Sequence, residues 1–291
     1  MGTTNKIAIF GSRRQPEVLK ELPGLFKFLC NSGFRVFIQS KFAKYLEDNG
    51  VDTVEAIPAD YLPPEVSMVM SLGGDGTFLR AARWIGNREI PILGVNTGHL
   101  GYLASCSLSE AEEMLKETCT GNITIEKRMV IRLKSDALPP DKWPYALNEI
   151  GFMRHGSSML NLNAWVNESF LADYRGDGLI VSTPTGSTAY NLSAGGPIMD
   201  PTIDCMCICP VAPHTFTLRP LVAGGESEIK IIPESRSDNF ILSLDDRSIL
   251  LPAKGEFIIS KADFSVLLIR RKGEDFPSIL RKKLLWSATA Q

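Results

Sequence analysis

Apolar residues in the first 122 positions follow two alternating patterns. Short apolar runs predict strands at 6–10, 34–38, 67–72 and 90–95. Helical spacing lies between them, at 16–30, 41–49 and 78–85, and a further helix is predicted to begin at a Ser107/Glu110 capping box and to stop near Gly121. Strands that alternate with helices predict a parallel sheet with helices on both faces, which is an α/β domain.

The pattern changes after about residue 122, where helical spacing becomes scarce. Strands are predicted at 123–133, 146–152, 160–166, 178–182, 205–211, 227–232, 239–244 and 256–269, and a closing helix at 276–285. We therefore expect an N-terminal Rossmann-like α/β domain at 1–122, to which a segment at about 272–291 returns, and a β-rich, β-sandwich-like C-terminal domain at 123–271. The proline-containing stretch 136–144 is interpreted as a hairpin loop of the second domain.

Composition and charge narrow the class of protein. The chain has 291 residues, 44% hydrophobic and 22% charged, which is typical of a globular protein with room for two domains. Its 31 basic and 33 acidic residues leave a net charge of −2, so bulk electrostatics favour neither nucleic acid nor an anionic membrane surface as a partner. No run has the length of a signal peptide or a membrane span, so we expect a cytoplasmic protein with free thiols.

Cys205, Cys207 and Cys209 alternate with apolar residues within one predicted strand. Alternate residues of a strand share a face, so the three thiols should lie side by side. A metal site would need a fourth ligand and usually wider spacing, so buried, inert thiols are the favoured interpretation. The three histidines also show no metal-ligand spacing, and side-chain spacing predicts no metal site.

The loop Gly73-Gly74-Asp75-Gly76-Thr77 lies between a predicted strand and a predicted helix. Glycines allow the backbone to approach an anion closely, and a helix N-terminus favours negative charge, so Gly73, Gly74, Gly76 and Thr77 are expected to bind phosphate. No Gly-Lys-Ser/Thr follows, which excludes a Walker A loop. An acidic residue in such a loop suggests a task for Asp75, either accepting a proton from a hydroxyl or holding Mg²⁺. The alternative is that Asp75 only caps the helix.

Small and hydroxyl-bearing residues dominate the segment 183–197, and Tyr190 is its only bulky side chain. Its sequence is Thr-Pro-Thr-Gly-Ser-Thr-Ala-Tyr-Asn-Leu-Ser-Ala-Gly-Gly-Pro. Such a segment can wrap a ligand closely, with Tyr190 as a stacking group. The alternative is a flexible Ser/Gly loop, which Pro184 and Pro197 at its ends disfavour. Asn148-Glu149 ends an apolar run, where Asn can read a base edge and Glu can accept from ribose hydroxyls, although an edge-strand polar pair is the alternative. The sequence 175–178, Arg-Gly-Asp-Gly, is typical of a turn between strands.

Together these motifs resemble the NAD kinase family along nearly the whole chain. The matching parts are the Gly73–Thr77 loop, the Asn-Thr-Gly-His-Leu-Gly-Tyr-Leu segment at 96–103, Asn148-Glu149, Asp177-Gly178 and the stretch 183–197. The last is the most specific, because lipid kinases and phosphofructokinases also contain a Gly-Gly-Asp-Gly loop. The resemblance implies an α/β domain, a β-rich domain, an active site in the cleft between them, and a homodimer or homotetramer.

The resemblance also implies residue roles. Asp75 would be the general base for the ribose 2′-hydroxyl. Gly76 would lie beside it, and Arg80, one helical turn beyond the loop, would contact the ligand. Asn148 and Glu149 would hold the adenine and ribose, and Arg175, Asp177 and Ala212 would face the nicotinamide half. The adenosine would be held by Thr188, Ala189, Tyr190, Asn191, Leu192 and Ser193, and Arg247 is also implied to bind NAD. Two positions differ from many relatives: Arg247 stands where Gln is common, and Ser158 where some carry a basic residue.

The expected function is therefore transfer of the terminal phosphate of ATP to NAD, giving NADP, with a divalent cation (Mg²⁺ or Mn²⁺) accompanying ATP. The donor range and the choice between NAD and NADH stay open. A lipid kinase would share the phosphate loop, but the hydroxyl-rich 183–197 segment suits acyl chains poorly. A dinucleotide-binding sensor would bind NAD without consuming ATP. A hydride-transferring Rossmann enzyme is weakly supported, because no G-x-G-x-x-G follows the first strand.

Overall fold

The computed structural model describes residues 6–13, 16–98, 101–235 and 238–286. The chain separates into two compact units. The first comprises Met1–Lys127 together with Val266–Gln291, and the second comprises Arg128–Ser265. Each unit has its own hydrophobic core.

The strands are numbered in chain order. They are β1 (Lys6–Gly11), β2 (Arg35–Gln39), β3 (Ile57–Ala59), β4 (Met68–Leu72), β5 (Ile92–Asn96), β6 (Cys106–Ser107), β7 (Ile123–Lys134), β8 (Tyr145–Ala146), β9 (Glu149–Arg154), β10 (Leu160–Val166), β11 (Ser169–Gly176), β12 (Gly178–Ser182), β13 (Cys205–Val211), β14 (Leu221–Gly224), β15 (Ile229–Ser235), β16 (Asn239–Leu244), β17 (Arg247–Pro252) and β18 (Phe257–Arg271).

The α-helices are α1 (Leu22–Asn31), α2 (Ser40–Asp48), α3 (Asp75–Ile85), α4 (Ala111–Thr120), α5 (Tyr190–Ser193) and α6 (Phe276–Leu284). Short 3₁₀ helices lie at Pro16–Lys20, Leu108–Glu110 and Thr185–Thr188. The predicted capping box is confirmed, since Ser107 and Glu110 bond reciprocally, and Gly121 takes the left-handed conformation at the end of α4.

The first unit is built on a parallel sheet with the strand order β3-β2-β1-β4-β5, and the end of β18 pairs in parallel with β5. Leu93 and Val95 of β5 pack in one cluster with buried residues of α1, α2 and α4. Gly94 between them points the other way, where a Cβ atom would lie 3.1 Å from the Phe78 ring of α3. Helices therefore cover both faces of the sheet, as the alternation of strands and helices predicts.

The second unit contains two antiparallel sheets. One has the order β14-β13-β12-β9-β16-β17, and in the other β15 lies between β10 and the start of β18, with β11 beyond β10. Three aromatic rings join the sheets: Phe257 of β18 packs edge-on against Phe152 and Phe240, with centroids 5.5 and 5.3 Å away. This is the β-sandwich-like domain that the sequence predicts.

Cys205, Cys207 and Cys209 confirm the face prediction. All three are free and buried in one cluster with Ile180 and Met199, whereas the alternating residues of β13 belong to the core between the sheets. Burial, followed by the neighbouring thiols, raises the pKa of Cys207 to about 12, and burial raises that of Cys209 to about 11. Thiols held in this protonated state are poor metal ligands and nucleophiles.

Several element predictions are corrected by the structure. The helix predicted at 16–30 is divided into a 3₁₀ helix and α1, whose first turn contains Pro23, a residue that lacks the N–H needed to continue an earlier helix. The strand predicted at 146–152 is interrupted, because the Asp245 carboxylate takes the N–H groups of Leu147, Asn148 and Glu149. Strands β3, β6, β11, β14 and β17 were not predicted, since they are short or rich in polar and exposed residues.

Candidate functional site

Asp75 is the first residue of α3, and its carboxylate accepts three consecutive backbone N–H groups. Oδ2 accepts from Tyr102 at 2.9 Å, and Oδ1 accepts from Leu103 and Ala104, both at 3.0 Å. The side chain does not cap its own helix, because Gly74 occupies the N-cap position, so the capping alternative is wrong. A carboxylate has about four lone-pair sites. Oδ2 thus retains one acceptor site, and Asp75 is half-buried rather than enclosed.

Glycines make this arrangement possible. Gly73 has φ 149°, and a Cβ atom there would collide with the Thr77 side chain. A Cβ atom on Gly101 would collide with the Asp75 carboxylate itself. Gly76, one residue beyond Asp75, is exposed. The loop is therefore compact around Asp75 and open at Gly76, a geometry that allows an anion to approach the backbone.

The segment that donates to Asp75 is anchored by a buried arginine. Arg270 is 1% exposed, and its guanidinium donates to the Tyr102 carbonyl and to the Ser105 hydroxyl. Glu126 and Glu274 lie 3.4 and 3.9 Å from the same guanidinium. Sequence reasoning missed this role of Arg270, because nothing local distinguishes it from other strand arginines. His99 and Leu100, which contribute to the family resemblance, lie outside the described residues.

Thr77 and Arg80 continue the loop into α3. Thr77 is 4% exposed, and its hydroxyl accepts a hydrogen bond of 3.0 Å from Arg80 Nη2. Arg80 is half-buried, one helical turn beyond the phosphate loop. Its guanidinium is thereby held against the loop through which an anionic ligand would be recognised.

Asn148 and Glu149 of the second unit form a turn that Asp245 holds in place. Asp245 Oδ2 accepts from Leu147 N at 2.9 Å, and Oδ1 accepts from Asn148 N at 2.8 Å and Glu149 N at 3.2 Å. Burial raises the pKa of Asp245, and these backbone bonds oppose that shift. Asp245 was not among the predicted site residues; its position at the β16–β17 turn, with φ 51°, was the only local signal.

Glu149 is a second carboxyl of this turn with a raised pKa. Burial, and then the charge of Asp245, raise the pKa of Glu149 to about 8. Its Oε2 atom is buried and has no hydrogen-bond partner among the described residues. A buried polar atom without a partner is costly, and ligand sites are one place where such atoms persist.

The segment 183–197 is tied to Asn148 by short contacts. Thr183 N donates to the Asn148 carbonyl at 2.8 Å, and a Cβ atom on Gly186 would collide with the same carbonyl. The buried Asn191 side chain donates to the Ser187 and Pro197 carbonyls at 3.3 and 3.1 Å, so it closes the segment on itself. The segment is thus an ordered structure and not a flexible loop.

Within this segment the predicted ligand-contacting residues differ in exposure. Tyr190 and Ser193 are exposed, Thr188, Ala189 and Leu192 are half-buried, and Asn191 is fully buried. Tyr190 is 45% exposed, which leaves its ring available for stacking. The Asn191 amide nitrogen is already used inside the segment, so its described contacts are structural.

Arg175, Asp177 and Ala212 lie around the junction of β11, β12 and β13. Asp177 N donates to the Val211 carbonyl at 3.1 Å, and a Cβ atom on Gly176 would lie 2.7 Å from the Ala212 carbonyl. Asp177 also pairs with Arg154 at 2.6 Å, while Arg175 pairs with Asp173 at 3.0 Å. The structure therefore brings these three residues together.

Arg247 follows the Asp245 turn. Its Nη1 and Nη2 donate to the carbonyls of Trp143 and Tyr145, at 2.5 and 2.6 Å. These carbonyls belong to the segment that precedes Asn148 and Glu149, so Arg247 holds that segment while Asp245 holds the turn itself. Ser158 is half-buried between β9 and β10.

The described residues include no group of three or more His, Cys, Asp or Glu side chains that could hold a metal ion. Within the same residues, no helix is long and apolar enough to cross a membrane.

Two family models match the chain. The ATP-NAD kinase N-terminal domain matches residues 7–123, and the ATP-NAD kinase C-terminal domain matches residues 147–271. The chain belongs to the NAD kinase family. It is 41% identical over 291 residues to the NAD kinase of Bacteroides fragilis, covering 98% of this chain and 99% of the relative.

Two solved structures of NAD kinase family proteins resemble the chain. A crystal structure of yeast NADH kinase complexed with NADH has a TM-score of 0.87 at 22% identity, covering 100% of this chain and 90% of that one, and at this identity it supports the fold alone. A crystal structure of an NAD kinase from Archaeoglobus fulgidus in complex with ATP has a TM-score of 0.73 at 26% identity, covering 95% and 98%. The two-part α/β and β-rich architecture is thus that of NAD kinases.

Proposed function

We propose that this protein transfers the terminal phosphate of ATP to the 2′-hydroxyl of the adenosine ribose of NAD, giving NADP, with Asp75 as the general base. Membership of the NAD kinase family makes the chain an enzyme that phosphorylates NAD. The observation that carries the role of Asp75 is its carboxylate, held by three backbone N–H groups with one acceptor site left on Oδ2.

The proposed step needs a proton acceptor and a positioned phosphate. The ribose hydroxyl donates its proton to Asp75 Oδ2 while its oxygen bonds to the terminal phosphorus, and the bond from that phosphorus to ADP breaks. Positioning both substrates can remove about 7–11 kcal/mol of the barrier. A well-placed base adds a factor on the order of 10²–10⁴. The three N–H groups supply this placement, because they leave the carboxylate no freedom to rotate.

Residues of the second unit are proposed to bind the different parts of NAD. Asn148 would read the adenine edge and Glu149 would bond a ribose hydroxyl, which would give the buried Oε2 atom a partner. Thr188, Ala189, Tyr190, Asn191, Leu192 and Ser193 would surround the adenosine. Arg175, Asp177 and Ala212 would serve the nicotinamide half. Arg247 is proposed to act through the segment that it holds.

The proposed phosphoryl donor is ATP, accompanied by a divalent cation. ATP is bound in the Archaeoglobus fulgidus relative, which favours ATP as the donor here. We propose that Mg²⁺ or Mn²⁺ arrives on the triphosphate and neutralises its charge there, which is consistent with the lack of a side-chain group that could hold a metal ion among the described residues. The family resemblance further supports a homodimer or homotetramer, which analytical ultracentrifugation would test.

The decisive experiment replaces Asp75 by Asn and measures NADP formation from ATP, Mg²⁺ and either NAD or NADH. We expect NAD binding to persist and turnover to fall by a factor on the order of 10²–10⁴ or more. The structure adds a cost that sequence reasoning did not include: one of the three N–H groups would face the amide NH₂, which destabilises the loop by about 1–3 kcal/mol. Stability must therefore be measured beside activity.

Asp52→Asn is the matched control, because Asp52 also accepts a backbone N–H, from Val54 at 2.8 Å, but in an exposed turn. Its turnover should match the wild type. Near-normal turnover of Asp75→Asn would remove Asp75 from the mechanism. A parallel assay with diacylglycerol tests a lipid kinase, and tight NAD binding without ATP consumption would indicate a sensor.

A further inference from the structure

Arg270 of β18 is a cation buried within the first unit. The residue is 1% exposed, and the part of β18 that contains it, from Val266 onward, belongs to that unit. Taking a guanidinium out of water is costly, and apolar residues of similar volume often replace a buried ion pair without loss of stability. Stability of the fold is therefore a weak reason for an arginine at this position, which suggests a task for its charge and its shape.

Two carboxylates hold the guanidinium in a fixed orientation. Nε lies 3.4 Å from Glu126 Oε2 on β7, and Nη1 lies 3.9 Å from Glu274 Oε2, beyond the end of β18. The Ser105 hydroxyl, which accepts a hydrogen bond from Nη1, donates to the same Glu274 oxygen at 3.3 Å. Nη2 donates to the Tyr102 carbonyl. The planar fork therefore contacts two points of one chain segment at once.

One peptide plane links Arg270 to Asp75. The Tyr102 carbonyl, which accepts from Arg270, and the Leu103 N–H, which donates to Asp75 Oδ1 at 3.0 Å, belong to the same peptide group. In a trans peptide these two groups point in opposite directions, so the guanidinium and the carboxylate lie on opposite edges of one plane. Rotation of that plane would break both hydrogen bonds together. The bond to the guanidinium also polarises the peptide and strengthens the N–H donor on its other edge.

We propose that Arg270 is a positioning residue for phosphoryl transfer, which fixes the Asp75 carboxylate through the Tyr102–Leu103 peptide and so directs Oδ2 at the ribose 2′-hydroxyl. This inference rests on the proposed function of Asp75. Arg270 acts on backbone atoms and not on the substrates, so its loss lowers kcat and leaves the binding of NAD and ATP nearly unchanged. A purely structural arginine would instead affect the fraction of folded protein, with a normal kcat for the molecules that remain folded.

Arg270→Lys is the test variant, because it keeps a positive charge beside Glu126 and Glu274 but lacks the fork that reaches two acceptors. We expect kcat for NADP formation, per folded molecule, to fall about tenfold, since displacement of a reacting group by about 1 Å can cost about a hundredfold. The KM values for NAD and for ATP should change less than about threefold. Hydrogen-exchange mass spectrometry should show faster exchange of the amides at 102–104, which is a readout independent of catalysis.

Arg271→Lys is the matched control. Arg271 is the next residue of β18, and its guanidinium pairs with Glu113 and Glu117 of α4, at 3.2 and 3.4 Å. This substitution should leave kcat and the exchange of the 102–104 amides unchanged. Arg270→Lys is also combined with Asp75→Asn, in which an arginine that acts through the Asp75 carboxylate has nothing left to position. We therefore expect no further loss of the residual turnover in the double variant.

Unchanged kcat in Arg270→Lys, unchanged exchange of the 102–104 amides, or an equal loss of turnover with and without the Asp75 carboxylate would each overturn the proposal. The Asp75→Asn variant on its own separates the two failures. If it retains near-normal turnover, the proposed function of Asp75 is wrong and the role of Arg270 falls with it. A large loss in Asp75→Asn together with a normal kcat in Arg270→Lys rejects only the role of Arg270.

Discussion

Replacing Glu149 by Gln tests how the ionisation of this buried carboxyl changes the free energy of unfolding with pH. The folded pKa of Glu149 is about 8 against an ordinary value of 4.5, because burial and the Asp245 charge disfavour its ionised form. A folded pKa above the unfolded one favours folding most fully below pH 4.5, and this advantage is lost as pH rises toward 8. Glutamine has nearly the same shape and does not ionise.

The size of the effect follows from about 1.36 kcal/mol per unit of pKa shift. Below pH 4.5 wild type and Glu149→Gln should have nearly equal free energies of unfolding, apart from a constant offset. At pH 7 the wild type has lost about 3 kcal/mol relative to the variant, and above pH 8 the difference levels off at about 5 kcal/mol. The free energy of unfolding of the variant should therefore rise relative to that of the wild type as pH increases from 4.5 to 8.

Urea denaturation followed by tryptophan fluorescence, at several pH values between 4 and 9, measures this difference. Glu228→Gln is the control, because Glu228 is exposed in the same unit and its substitution should leave the pH dependence unchanged. A difference between wild type and Glu149→Gln that stays constant from pH 5 to pH 8.5 would refute the argument, since it would mean that Glu149 ionises in the folded protein as easily as in the unfolded one.

Three further substitutions test the contacts that hold the Asp75 carboxylate, the Asn148-Glu149 turn and the segment 183–197. Gly101→Ala should displace the Asp75 carboxylate and lower kcat at least tenfold, with a much smaller change in the dissociation constant of NAD, measured by calorimetry. Asp245→Asn should leave a backbone N–H unpaired, lower the free energy of unfolding by about 1–3 kcal/mol and raise the KM for NAD. Gly186→Ala should push against the Asn148 carbonyl and weaken NAD binding without changing ATP binding; equal losses for both ligands would contradict that reasoning.

The fold class was readable from the chain because its signals are local. Periods of two and 3.6 residues appear within a single element, and β10, β12, β13 and β16 have the predicted bounds. Elements were missed where the local signal conflicts with the final environment. Strand β11, for example, mixes apolar residues with Ser169, Asp173 and Arg175, and it pairs through a turn at Asn167 and Glu168, both with positive φ.

The candidate site was less predictable, because the contacts that hold it are distant in sequence. Asp75 was identified from its glycine neighbours, but the N–H groups that it accepts lie 27 to 29 residues away. Asp245 lies 97 residues from Asn148, and no spacing rule connects them. Arg270 is also recognisable as an anchor only once its guanidinium is seen against the 102–105 segment.

The sequence by itself determined the two architectures, the position of the Gly-Gly-Asp-Gly loop and the family resemblance, since each depends on residues that are neighbours along the chain. Only the tertiary structure decided which backbone groups hold Asp75 and Asn148-Glu149, that Glu149 is buried beside Asp245, and that Arg270 anchors the segment that donates to Asp75. The physical reason is that burial, electrostatic coupling and cavity shape depend on distances in space, which the order of residues leaves unspecified until the chain has folded.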